Sequence, residues 1–98
     1  MTMIRLLEAA AQLPAAWSSR VLATVGNARV KLVRMDETAY PEECHDFDEG
    51  LLVLDGVMLL RIHGELLWVE AGQLYVVPAG TPHSVEGGSR GTLLIIDS

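Results

Sequence analysis

Glu43-Cys44-His45-Asp46-Phe47-Asp48-Glu49-Gly50-Leu51-Leu52-Val53-Leu54-Asp55-Gly56 opens with groups that can hold a divalent metal. It then runs without a break into an apolar strand and a turn glycine. A second stretch answers it: Gly72-Gln73-Leu74-Tyr75-Val76-Val77-Pro78-Ala79-Gly80-Thr81-Pro82-His83. Outward from these two, short Val- and Leu-rich runs alternate with glycine-centred turns from Arg20 to the end of the sequence. Arg20–Val25 and Ala28–Met35 flank Gly26-Asn27, a pair suited to a hairpin turn with positive φ. Val57–Ile62 and Glu65–Glu70 flank His63-Gly64 in the same way. Leu51–Leu54, Leu74–Val77 and Thr92–Ile96 bring the count to about seven or eight strands, with no helical run between them. Strands this short and this regular point to an all-β sandwich or barrel.

Before the strands, Met3, Leu6, Leu7 and Ala10 recur at helical spacing, Thr2 can cap, and Pro14 forbids continuation. This predicts a short amphipathic helix at about 3–12, followed by a loop through Trp17, Ser18 and Ser19. The 98 residues therefore read as one domain, a helical arm at 1–19 and a β-barrel at 20–98. Half the residues are apolar and only 5% aromatic, so the core must be aliphatic.

A net charge of −6 with seven Lys and Arg argues against nucleic acid, whose phosphates need a basic patch, and equally against an anionic membrane surface. No run approaches the ~20 apolar residues of a membrane helix, and no signal peptide is read in residues 1–13. Cys44 is the single cysteine, so no intrachain disulfide forms, and a reducing, cytoplasmic compartment is expected. Leu51–Leu54, Leu66–Val69 and Leu93–Ile96 are apolar on both faces, whereas an exposed barrel wall should alternate. Something must cover the outside: the N-terminal helix takes part of it, and a second subunit the rest, which predicts a homodimer.

The two opening stretches resemble the paired motifs of the cupin family. Glu49, six residues and Gly56 match the end of the first motif; Gly72, Pro78, Gly80 and His83 match the second at every spacing. The fifteen residues between them, 57–71, look like the short hairpin of small bacterial cupins. With its brief N-terminal helix, the chain is similar to the small cupins grouped loosely with mannose-6-phosphate isomerase. The resemblance implies a cupin-type double-stranded β-helix, a jelly-roll barrel whose inward-facing histidines and glutamate hold one divalent ion. Imidazole and carboxylate suit Mn, Fe, Ni or Zn.

The sequence departs from the pattern in three places. The first motif's opening glycine and the second's closing asparagine are replaced by Glu37 and Gly87, and one histidine of the His-x-His pair is missing. With three residues before Glu49 the ligand set becomes Glu43, His45, Glu49 and His83, two imidazoles and two carboxylates. With four, Glu42 and Cys44 take the first positions and His45 leaves the site. The first register is favoured because it keeps two histidines. Each residue also has a plainer role: His83 as a core histidine bonded to a carbonyl, Glu43 and His45 as members of an acidic loop, Cys44 as an inert thiol. His63 falls in a turn, and Trp17 and Trp68 suit core or interface.

The resemblance implies a scaffold and a pocket but no reaction. The expectation is a small cupin that binds a small-molecule ligand in the barrel, either through a divalent metal or metal-free. The alternative is a metal-dependent enzyme of isomerase, lyase or dioxygenase type acting on a small metabolite. No lysine and arginine set is placed in the motifs for a sugar phosphate.

Overall fold

The computed structural model describes residues 3–98. One helix, α1 (Leu6–Ala11), precedes eight strands: β1 (Arg20–Val25), β2 (Ala28–Met35), β3 (Tyr40–Glu43), β4 (Glu49–Ile62), β5 (Glu65–Glu70), β6 (Leu74–Val77), β7 (His83–Val85) and β8 (Arg90–Asp97). Every pairing is antiparallel, and the path β1-β2-β8-β4-β7-β3 curls into a jelly-roll barrel, with β5 and β6 both on β4. The helix is shorter than the expected 3–12: Arg5 occupies the N-cap with extended backbone and no side-chain bond. Thr2, the expected cap, lies outside the described residues.

β4 organises the barrel. The sequence reads as two strands, Leu51–Leu54 and Val57–Ile62, broken at Asp55-Gly56, but the chain runs through as one strand of 14 residues. Its first half pairs with β6 and β8, its second with β5 and β7, so it feeds both layers. Asp55-Gly56 marks a register shift against β8 rather than a turn. There Gly56, at φ +79, crosses Gly91, at φ +99. A Cβ on Gly56 would lie 2.1 Å from the Arg90 carbonyl oxygen, and one on Gly91 2.1 Å from that of Asp55. Only glycine permits both the backbone angle and this approach.

The two hairpins read from sequence are present. Gly26 takes positive φ in the first, while both His63 (φ 54) and Gly64 (φ 73) do so in the second, the pattern of a type I′ turn. β3 and β7, two short strands absent from the sequence reading, pair across Glu43 and His83.

The core inside the barrel is aliphatic, centred on Val33, Leu51, Val53, Met58, Leu60, Ile62 and Leu93. A second cluster lies outside it: Ala10 and Leu13 of the N-terminal arm pack on Leu32 and Leu94, with Leu52 and Leu54 at the margin. The arm thus covers the outer faces of β2, β8 and the first half of β4, which accounts for two of the three doubly apolar strands. The third stays bare. Trp68 is 64% exposed, and Leu66, Leu74 and Val76 beside it on β5 and β6 are also exposed.

Candidate metal centre

Four elements converge at the mouth of the barrel. Glu43 ends β3, His45 sits in the following loop, Glu49 begins β4 and His83 begins β7. One donor atom from each lies within 4.8 Å of all the others. Glu42 and Cys44, the ligands of the alternative register, are exposed to solvent, so the residues brought together are those of the first. The reason is local. The Gly80 N–H donates to the His45 carbonyl (2.7 Å), and the Ala79 N–H to Asp48 Oδ1 (2.9 Å). The turn of the second stretch therefore clamps the loop of the first and turns His45 inward. Gly80 takes φ +77 there, as the sequence anticipated.

Glu49 and His83 are the buried pair, 6% and 5% exposed, while Glu43 and His45 stand at the open side. His83 Nε2 lies 3.1 Å from Glu49 Oε1, and His45 Nε2 3.8 Å from Glu49 Oε2 and 3.3 Å from Glu43 Oε2. His83 Nδ1 lies 3.0 Å from the Thr81 carbonyl oxygen. A carbonyl only accepts, so Nδ1 carries the hydrogen of that bond, and in the neutral ring Nε2 is left with its lone pair. That lone pair points at a carboxylate oxygen. Two acceptors at this distance need something positive between them, either a proton or a cation.

A divalent ion fits the donor set. Bonds of about 2.1 Å place neighbouring donors about 3.0 Å apart and opposite donors about 4.2 Å apart in an octahedral shell. The separations of 3.1, 3.3 and 3.8 Å, with none above 4.8 Å, need only small adjustments to meet that shell. Two carboxylates balance a double charge, and imidazole and carboxylate together are donors that first-row divalent ions accept. The Thr81 carbonyl gives His83 the outer-shell acceptor that ligand histidines ordinarily have.

Below the cluster lies a cavity of about 120 Å³. Leu51, Met58, Val85 and Leu93 form its apolar part, and Trp17, Ser19, Lys31, Tyr40 and Asp97 add polar or aromatic wall. Trp17 comes from the arm and takes the left-handed region at φ 60, a strained place for a bulky residue. Its N–H donates to the Arg34 carbonyl (2.8 Å) and its indole N–H to Asp36 Oδ1 (2.9 Å). Thr38 donates to the same carboxylate from backbone and hydroxyl, and these bonds hold the Asp36 carboxyl below its ordinary 3.8. The charge of Glu43 raises the Tyr40 hydroxyl above 10.0, with burial and a bond to Glu43 adding to it. Burial pushes Asp97 upward, but Lys31 and Arg29 outweigh it and leave the carboxyl below 3.8.

Lys31 and Asp97 went unread in the sequence. The signal was there: Lys31 is in phase with Val33 and Met35, and Asp97 with Leu93 and Ile95, on the inward faces of their strands. His63, read as a turn residue, is solvent-exposed, and so is Cys44; Trp17 joins the cavity wall and Trp68 the bare outer face.

An antiparallel barrel with histidine and carboxylate donors gathered at its mouth is the architecture of the cupins. Residues 31–97 match the family model described as the cupin domain, and the chain belongs to that family. A 58-residue segment is 43% identical to quercetin 2,3-dioxygenase of Bacillus subtilis; it is 58% of this chain but spans only 17% of that protein's length. The structure superposes on a cupin-2 domain protein of Shewanella frigidimarina with a TM-score of 0.87 at 26% identity, covering 95% of this chain and 91% of that one. A provisionally named mannose-6-phosphate isomerase of Ralstonia eutropha shares the fold, with a TM-score of 0.77 and 19% identity over 99% and 97% of the two chains. No helix among the described residues is long and apolar enough to cross a membrane.

Proposed function

We propose that this cupin holds one divalent cation on Glu43, His45, Glu49 and His83 and binds a small polar ligand beneath it. The observation that carries this reading is His83 Nε2 facing Glu49 Oε1, both buried and 3.1 Å apart, with Glu43 and His45 closing on the same point. A buried carboxylate facing an acceptor is costly, and a cation converts that repulsion into two bonds. When bound, the ion supplies Lewis acidity at the open face. The protein's own groups orient the ion's ligands, while the apolar floor and the Trp17 wall exclude water from beneath. A cavity of about 120 Å³ suits a small metabolite.

A catalytic reading draws its support from the segment shared with quercetin 2,3-dioxygenase, a dioxygenase by name. Binding without turnover needs nothing more than the geometry described, and it is the reading preferred here. The unit of function is the whole cupin domain, with the arm at 1–19 as part of the ligand wall. A second copy of the chain covers the bare strip of Leu66, Trp68, Leu74 and Val76, an exposed apolar surface of the kind that marks an interface. An exposed free thiol at Cys44 suits a cytoplasmic setting.

The test is metal content and melting of protein purified without a histidine tag, with Mn, Fe, Ni and Zn against a chelator. An ion at 100 times its dissociation constant adds about 2.7 kcal/mol. The expected result is a shift of that size, absent in His83→Ala. No bound metal and no shift in the parent overturns the reading.

A further inference from the structure

Among the described residues, the cavity has a second charged end that the donor cluster does not use. Asp97 is buried at the end of β8, and two cations attend it: Arg29 Nε donates to Oδ1 at 2.9 Å, and Lys31 Nζ lies 2.6 Å from Oδ2. One carboxylate against two cations leaves one positive charge in excess. Arg29 is half exposed and turns toward solvent, whereas the Lys31 side chain is only 17% exposed and lines the cavity. At that distance the ammonium gives one of its hydrogens to Oδ2. An ammonium carries three donors, so two of those of Lys31 remain for an acceptor inside the cup.

The two ends are neighbours. The β4–β8 register pairs Gly50 with Ile96, which places Glu49 and Asp97 next in line across the same seam, both buried and both on the cavity. With a divalent cation offset by Glu43 and Glu49, the donor cluster is neutral, and the one positive charge in excess belongs to the Arg29–Lys31–Asp97 group, whose cavity-lining cation is Lys31. We infer that Lys31 receives the carboxylate of a small organic acid whose second oxygen, a hydroxyl or keto group, faces the Glu43, His45, Glu49 and His83 cluster. The cavity, about 120 Å³, suits an acid of small-metabolite size. This inference rests on the proposed ligand-binding reading and names its ligand class. Lys31 acts as a specificity determinant, selecting an anion over a neutral polyol of the same size.

Glycolate and ethylene glycol, matched in size and different in charge, are the probes. Each is titrated into the zinc-loaded protein, with zinc chosen as a diamagnetic ion, and followed by backbone amide shifts around Lys31 and Trp17. Zinc affinity is measured separately for each variant. Glycolate should bind and ethylene glycol should not. Lys31→Met should weaken glycolate about tenfold or more, the usual worth of a hydrogen bond to a charged group, and Lys31→Arg should restore it, with zinc affinity unchanged in both. Asp97→Asn removes the competing anion and should tighten glycolate; a merely structural Lys31–Asp97 pair predicts the reverse. If zinc binds but glycolate is ignored, or binds Lys31→Met as well as the parent, the inference is wrong and the metal reading stands. Lys31-dependent glycolate binding in protein that takes no zinc keeps the inference and removes the metal. Failure of both probes and zinc removes both.

Discussion

Replacing Glu49 with glutamine should have opposite effects with and without metal. In the parent, His83 Nδ1 is committed to the Thr81 carbonyl, and its Nε2 lies 3.1 Å from Glu49 Oε1. Glutamine keeps the shape, removes a buried charge and offers an amide N–H at the same position. Without metal and with His83 neutral, that contact is a lone-pair clash, which glutamine turns into one hydrogen bond with a net value of about 1 kcal/mol. For a domain of this size that raises melting by about 4–8 °C. The same change deletes an anionic ligand from the cluster, so the metal-dependent gain of about 2.7 kcal/mol at 100 times the dissociation constant should be lost. Thermal melts of parent and Glu49→Gln, in chelator and in excess Mn or Zn, read both effects in one experiment. If the variant melts below the parent in chelator, the pair is an ordinary ion pair and the reasoning about a cation between acceptors fails. A metal shift retained in the variant would be equally damaging.

Other perturbations test the scaffold and the surface. Gly91→Ala puts a Cβ 2.1 Å from the Asp55 carbonyl oxygen at φ +99, which should cost about 3 kcal/mol or more by strain and overpacking and appear in denaturant melts; a near-neutral result would mean that the β4–β8 seam yields easily. Asp97 sits below its ordinary 3.8 when folded, so its ion pairs stabilise the protein above that value and are lost as pH falls through the depressed one. Urea titrations should therefore show the gap between parent and Asp97→Asn closing in acid, below about pH 4. Trp68→Glu should leave melting within about 0.5 kcal/mol of the parent, as surface changes do, while lowering the sedimentation mass to that of a monomer; an unchanged mass removes the second copy from that face.

What the sequence disclosed follows the range of the forces involved. Strand and turn positions are local, and His63-Gly64 or Gly72 announce themselves by residue type. Asp55-Gly56 misled because its role depends on Gly91, thirty-five residues away, and the same pair that would end a hairpin becomes a bulge when another glycine crosses it. β3 carries Pro41 and two glutamates, so nothing in its composition announces a strand; its pairing with His83 is entirely long-range. The ligand cluster was legible as two registers, and the clamp from Gly80 and Ala79 onto the loop places Glu43 and His45, rather than Glu42 and Cys44, beside Glu49 and His83. Two of the three departures from the family pattern, Glu37 and Gly87, are spatially linked: the Gly88 N–H donates to the Glu37 carbonyl, and a Cβ at Gly87 would approach that oxygen to 3.1 Å. Lys31 escaped notice because a charged residue on a short strand reads as solvated until the barrel closes around it.

Trp17 and Ser19 stand outside the segment shared with the family at large, residues 31–97, yet they form part of the cavity wall. A portion of the chain outside the family model is thus also a portion that its ligand would touch. Evolution could retune what the cup accepts by rewriting a leader of about twenty residues, leaving barrel and donors untouched. Grafting that leader between related proteins is the corresponding shortcut for an engineer.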